Sequence, residues 1–98
     1  MNNHIGIVGI GVMGSNIALN FSDNDTNVSV YNKSQDKINR LISEDSSKNI
    51  SGFTDLEEFV KSIEKPRKIL ILVPSGEATN RVTENLLNFM EEKDTLID

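Results

Sequence analysis

The tightest constraint on the fold is a six-residue stretch near the N-terminus, Gly9, Ile10, Gly11, Val12, Met13 and Gly14, a G-x-G-x-x-G. Before it lies a short apolar run with Ile5, Ile7 and Val8, which predicts a buried strand over residues 4–9. After it, Ile10, Met13, Ile17 and Phe21 recur at helical spacing and predict a helix from Val12 to Ser22. In a strand–turn–helix of this kind each glycine has a physical task. Gly9 makes the tight turn, Gly11 lets a pyrophosphate approach the backbone, and Gly14 lets the helix pack close to the strand. The free N–H groups and positive dipole end of the helix then face the phosphates. A plain glycine-rich turn is the competing reading; strand, helix and spacing together favour phosphate binding.

The remainder alternates in the same way. Asp23, Asn24, Asp25 and Thr26 form a turn cluster, and residues 27–31 are a second strand with Val28, Val30 and Tyr31. Ser34 caps a second helix that buries Ile38, Leu41 and Ile42. Residues 50–53 suit a short edge strand. Thr54-x-x-Glu57 is a capping box opening a helix with Leu56, Phe59, Val60 and Ile63 on one face, and Pro66 stops it. Residues 68–73 are a continuous apolar strand. A helix from Thr79 to Glu92 buries Val82, Leu86, Phe89 and Met90, and residues 95–98 begin one more strand. With right-handed crossovers this βαβαβαβαβ order predicts an α/β fold: an open, doubly wound, mainly parallel sheet in the order 3-2-1-4-5.

Composition excludes several alternatives. Ninety-eight residues allow one small domain, and the absence of cysteine removes disulfides, Cys-ligated zinc and thiol nucleophiles. The longest apolar run, Ile69 to Val73, is far short of the roughly 20 residues of a membrane span. No signal peptide opens the chain, so a cytoplasmic protein without a membrane partner is expected. The net charge of −5 argues against nucleic acid. In residues 1–43, Lys33, Lys37 and Arg40 balance Asp23, Asp25 and Asp36, so the later residues carry the whole excess; an anion is better sought in the first part. No catalytic triad, carboxylate dyad or metal-spaced cluster is present, so neither catalytic residues nor a metal site is predicted. His4 is expected to be an exposed terminal residue. Lys65, Arg67 and Lys68 are expected to complement a helix dipole, and Glu91, Glu92 and Asp94 to be a solvated helix end and turn.

Two further places bear on the cofactor. An NAD enzyme usually has Asp or Glu at the end of the second strand, bound to the ribose 2′-OH. Here Tyr31 is followed by Asn32, Lys33 and Ser34, with no carboxylate. Lys33 supplies a charge suited to a 2′-phosphate and its neighbours supply neutral donors, which points to NADP over NAD; Lys37 adds to the field. Past the fourth strand, Val73, Pro74 and Ser75 flank the expected ligand crevice. Ser75 is placed either to meet a phosphate or the nicotinamide ribose, or to cap the following helix.

The opening residues 5–14 with Asn16, Ala18 and Asn20, the Tyr31-Asn32-Lys33-Ser34 segment, and residues 55–60 followed by 64–70 together resemble the decarboxylating 6-phosphogluconate dehydrogenases along the whole chain. The glycine turn and the Asn-basic-Ser triplet are shared with the wider β-hydroxyacid dehydrogenases. The resemblance implies a Rossmann-type fold in a cytoplasmic, dimeric enzyme of the pentose phosphate pathway. Such an enzyme oxidises 6-phosphogluconate with NADP and releases CO2 to give ribulose 5-phosphate. By position, Gly9 through Gly14 (with Ile10, Gly11, Val12 and Met13), Asn32, Lys33, Ser34, Val73, Pro74 and Ser75 would contact the cofactor. Lys33 stands where the family usually has arginine, so a forked grip becomes a point charge and selectivity for NADP falls. Pro74 stands where the family usually has lysine. A shorter branch of the family has a similar proline loop, carries an acid after the second strand and prefers NAD; this chain mixes the two patterns.

Family members run to several hundred residues. By resemblance, the Gly-Gly-Asn of the substrate site, the catalytic lysine and glutamate, and the helical domain that builds the homodimer all lie beyond Asp98. Residues 1–98 are therefore expected to be the N-terminal part of a dinucleotide-binding domain, inactive alone. The alternatives are the cofactor domain of a β-hydroxyacid dehydrogenase and a non-catalytic nucleotide-sensing module of the same fold.

Overall fold

The computed structural model describes residues 2–72 and 77–97. Five strands, β1 (Ile5–Val8), β2 (Val28–Tyr31), β3 (Ile50–Phe53), β4 (Lys68–Ile71) and β5 (Thr95–Ile97), form one sheet in the order β3-β2-β1-β4-β5. Every neighbouring pair is parallel, with Ile7 opposite Val30 on one side and Leu70 on the other. The expected doubly wound topology is therefore the observed one, and β3 is an edge strand. The helices are α1 (Val12–Asp23), α2 (Gln35–Glu44), α3 (Leu56–Lys61) and α4 (Glu77–Phe89).

The sheet separates two apolar layers. Ala18 of α1 and Ile38 and Leu41 of α2 pack on Ile7, Val28, Val30 and Ile50. On the opposite face Phe59, Val60 and Ile63 meet Val8, Ile69, Ile71 and Leu86 of α4. Gly52 and Gly6 set the approach on the two faces. A methyl on Gly52 would lie 2.1 Å from Ile38 Cγ2, and one on Gly6 would lie 2.4 Å from Ile63 Cδ1. Ile42 and Phe89, both expected inside, are substantially exposed; the Ile42 side chain reaches Gly52 of β3, at the edge of the sheet, where no further strand covers it.

Three local details depart from the pattern of the sequence. The N-cap of α3 is Asp55 and not Thr54; its carboxylate accepts from Glu58 N–H at 3.0 Å, a stronger acceptor than a hydroxyl. The helix ends at Lys61, well before Pro66. Asn3 takes over the backbone there, with Asn3 N–H donating to Ser62 O at 2.7 Å and Glu64 N–H to Asn3 O at 2.8 Å. Below it Asn3 Nδ2 donates to Ser29 Oγ, which meets Ser62 Oγ at 2.6 Å, so the polar atoms between β2 and α3 are mutually satisfied.

The third departure concerns Arg67 and Asp94. Arg67 is only 7% exposed and holds Asp94 at 3.1 Å, while Arg67 N–H donates to Asp94 Oδ1 at 2.6 Å. Asp94 also accepts from Glu91 N–H at 2.8 Å, and Thr95 N–H returns to Arg67 O at 2.6 Å. These residues are a buried clamp joining the start of β4 to that of β5, not loose charges at a helix end. Burial alone would raise the Asp94 pKa. The hydrogen bonds from Glu91 and Arg67 and the guanidinium charge outweigh it and hold the carboxyl below its ordinary value.

A carboxyl depressed in the folded state stabilises above its unfolded pKa of about 3.9 and loses that contribution as pH falls through the folded value. Asp94→Asn leaves Arg67 buried without its main countercharge and should cost about 3 kcal/mol at pH 7. Urea unfolding from pH 7 to pH 2 should show this difference steady down to about pH 5 and shrinking below about pH 4. A deficit unchanged at pH 2 would mean that the charge of Asp94 is not what matters.

Candidate functional site

The carboxyl ends of the inner strands converge on one crevice. Gly9 N–H donates to Tyr31 O at 3.1 Å, Asn32 N–H to Phe53 O at 3.2 Å, and Leu72 N–H to Val8 O at 2.8 Å, tying together the exits of β1, β2, β3 and β4. Between β1 and β4 the strand order reverses direction, and in open α/β sheets ligands bind at such a reversal.

The glycine turn occupies this point. Gly9 has φ 96°, a conformation that side chains resist. A methyl on Gly14 would lie 2.2 Å from Gly9 O, so α1 sits directly against the end of β1, backbone to backbone. Gly11, by contrast, faces open space: a methyl there would meet nothing within 4 Å. It is the N-cap of α1, in extended conformation with no side-chain cap. The first-turn N–H groups of α1 thus lack the usual Ser, Thr or Asp acceptor and are presented beside a residue without a side chain. Val12 and Met13 are 83% and 67% exposed, apolar groups left in solvent at the mouth of the crevice. Ile10 turns inward to the core, and Ser15 Oγ–H donates to Ile10 O at 2.9 Å, bracing the turn.

Across from the turn stand Asn32, Lys33 and Ser34. Asn32 Oδ1 accepts from Lys33 N–H at 2.9 Å, and Ser34 Oγ caps α2 by accepting from Lys37 N–H at 3.3 Å. The hydroxyl proton of Ser34, the Asn32 amide group and the exposed Lys33 ammonium are thus donors at the end of β2. Val73, Pro74 and Ser75 lie outside the described residues.

Two features of the crevice escape the sequence pattern. A groove of about 360 Å³ runs from Gly11 and Val12 between Ser15 and Asn16 of α1 and Lys37, Arg40 and Glu44 of α2. Arg40 is three residues beyond Lys37 and shares its face, which is the signal that would have found it. On the other side, burial raises the Tyr31 pKa and the negative charge of Asp55 raises it further, so a carboxylate does reach the end of β2. It comes from the cap of α3 and is committed to Glu58 N–H. Among the described residues no cluster of His, Asp or Glu is placed to hold a metal ion, and no helix is long and apolar enough to cross a membrane.

Residues 4–98 match the family model described as the NAD binding domain of 6-phosphogluconate dehydrogenase. The chain is 44% identical, over all 98 residues, to an NAD(+)-dependent, decarboxylating 6-phosphogluconate dehydrogenase of Bacillus subtilis, and spans 21% of that protein's length. It superposes on Plasmodium falciparum 6-phosphogluconate dehydrogenase, studied in its apo form and in complexes with NADP+ and 6-phosphogluconate, with a TM-score of 0.88. That match has 31% identity and covers 97% of this chain and 21% of the other. Glycerol-3-phosphate dehydrogenase from Coxiella burnetii shares the fold, with a TM-score of 0.78 and 20% identity over 97% of this chain and 31% of the other.

The two glycines make opposite predictions. Gly14→Ala forces a methyl onto a backbone carbonyl and should destabilise the fold by about 3 kcal/mol. Gly11→Ala meets no protein atom and keeps an allowed backbone, so stability should change by less than about 0.5 kcal/mol while nucleotide affinity falls. Urea midpoints and a nucleotide titration on both variants check this; equal destabilisation would contradict the geometry.

Proposed function

The chain belongs to the family of NAD-binding domains of 6-phosphogluconate dehydrogenase, and from that premise we propose that residues 1–98 are the N-terminal, dinucleotide-binding part of such an enzyme, with NADP as the preferred cofactor. The observation carrying this reading is the glycine turn at the strand-order reversal: an uncapped helix start, a bare Gly11 and a backbone-tight Gly14. A pyrophosphate fits where Gly11 leaves space and the N–H groups of α1 lack a cap. Gly9 through Gly14 are the phosphate contacts, and Asn32, Lys33 and Ser34 hold the adenosine ribose and its 2′-phosphate. Val73, Pro74 and Ser75 are proposed contacts for the nicotinamide half.

When bound, the nicotinamide accepts the hydride removed from the substrate. This chain's own share is to bind and orient: dipole and N–H groups for the pyrophosphate, a point charge for the ribose phosphate, and Val12 and Met13 as an apolar lip. The parent reaction is oxidative decarboxylation of 6-phosphogluconate to ribulose 5-phosphate, a step of the pentose phosphate pathway in the cytoplasm. The groups that work on the substrate belong to the four-fifths of the relatives' length that this chain does not span, as does the homodimer interface. The family match favours this parent over a β-hydroxyacid dehydrogenase or a sensing module.

One observation favours NAD instead: the Bacillus subtilis relative is named as NAD(+)-dependent. The absence of a carboxylate in the Asn32-Lys33-Ser34 turn weighs toward NADP, since an acid there would repel a 2′-phosphate. Calorimetric titration should give tighter binding of NADP than of NAD, and Lys33→Asp should reverse the order. Equal affinities in the unsubstituted chain would refute the preference. No NADPH should form when the chain is mixed with NADP and 6-phosphogluconate; turnover by pure material would overturn the assignment of catalysis to residues outside it.

A further inference from the structure

The acid that the Asn32-Lys33-Ser34 turn lacks is supplied from the neighbouring strand. β2 and β3 run parallel with Tyr31 opposite Phe53, and the pairing continues one residue further, where Asn32 N–H donates to Phe53 O at 3.2 Å. Asp55 is two residues beyond Phe53, and two residues span at most about 7 Å. Its backbone is therefore held beside the turn that follows β2. Asp55 and Lys33 are both exposed there. The position calls for an acceptor but not for a charge. Asp55 Oδ2 caps α3 by accepting from Glu58 N–H, a task that Asn or Ser performs about as well, and Glu57 and Glu58 already put acids in the first turn. The charge is felt across the strands. Burial is the first cause of the raised pKa of Tyr31, the last residue of β2, and Asp55 is the second.

We propose that Asp55 is a specificity-determining residue: its carboxylate opposes a phosphomonoester on the adenosine ribose and so limits how far a phosphorylated cofactor is preferred. This rests on the dinucleotide-binding reading of the same crevice and adds to it a residue from beyond β3. A phosphomonoester carries a charge of about −1.5 to −2 near pH 7, whereas a free ribose hydroxyl carries none. A fixed negative charge at the end of β2 therefore acts on one form of the cofactor and spares the other. Screening does not remove the effect, because the Debye length at physiological salt is about 8 Å. Selectivity at this end of the crevice is then a difference between two opposed charges, Lys33 and Asp55, each delivered by its own strand exit.

The test is a titration of the chain and of its Asp55→Asn and Glu92→Gln variants with adenosine 2′,5′-bisphosphate and 5′-AMP, which differ only in the phosphomonoester. Asn keeps the cap of α3, and urea midpoints close to that of the unsubstituted chain verify that the variants fold. Glu92, exposed just before β5 at the opposite end of the parallel sheet, controls for the change in net charge. Asp55→Asn should tighten the bisphosphate by about three-fold and leave 5′-AMP within about 1.5-fold, with the gain shrinking as salt is raised. Glu92→Gln should leave both affinities unchanged. An unaltered bisphosphate affinity in Asp55→Asn overturns the proposal and leaves the dinucleotide site standing. An equal gain for both nucleotides overturns it too, because Asp55 would then act on the 5′-phosphate. So does the same gain in Glu92→Gln, which would make net charge the cause. A loss of 5′-AMP with no gain for the bisphosphate overturns it as well, since Asp55 would then be an acceptor for the ribose hydroxyls. If the unsubstituted chain binds neither nucleotide, the dinucleotide reading itself fails and takes this proposal with it.

Discussion

The structure depends on the contact between Gly14 and the carbonyl of Gly9, where a single methyl would sit 2.2 Å from oxygen. That approach brings the first turn of α1 against the end of β1 and fixes the helix axis relative to the sheet. From it follow the positive φ at Gly9, the direction in which α1 runs, and the seating of Ala18 against the strand residues of the same layer. A side chain at position 14 would push the helix outward, and the opening beside Gly11 would no longer face the exits of the strands. The same residue thus governs packing and the geometry of the crevice, which makes its two consequences hard to separate except through its neighbour Gly11.

Much of this was legible from residue order because the determinants are local. The apolar runs of β1, β2 and β4, the 3.6-residue period of α1 and α2, and the Ser34 cap are written in adjacent residues. Right-handed crossovers then leave few sheet orders to choose from. What was not legible depends on partners distant in the chain. Asn3 ends α3 by pairing with Ser62 and Glu64, about sixty residues away. Arg67 and Asp94 read as solvated charges because burial of an ion pair is decided by the elements that close over it, and no spacing rule marks it. The buried Asp45, whose carboxylate accepts from Ser22 Oγ–H and from Ile50 N–H, is a further case: it belongs to a polar loop by sequence and to the interior by structure.

In the crevice the same division holds. The glycine turn and the triplet Asn32, Lys33 and Ser34 stand where residue order put them, at the ends of β1 and β2, because turn chemistry acts through near neighbours. Arg40 was visible only as one of three bases balancing three acids; its place in the groove appears only when α2 is set beside α1. Asp55 likewise reaches the end of β2 only because β3 pairs with β2 and brings the cap of α3 alongside. The field at this end of the crevice thus combines Lys33, Lys37 and Arg40 with Asp55 and Glu44, a balance that the triplet alone does not describe.

The central claim is that the uncapped start of α1 is a phosphate-binding surface. Backbone amide resonances of an isotopically labelled chain, followed during titration with NADP, test it most directly. The account predicts the largest shifts at Gly11, Val12, Met13 and Gly14, with a second set at Asn32, Lys33 and Ser34, and little change at the Arg67–Asp94 clamp. Saturating shifts confined to other parts of the chain, or none at the glycine turn at millimolar NADP, would contradict it.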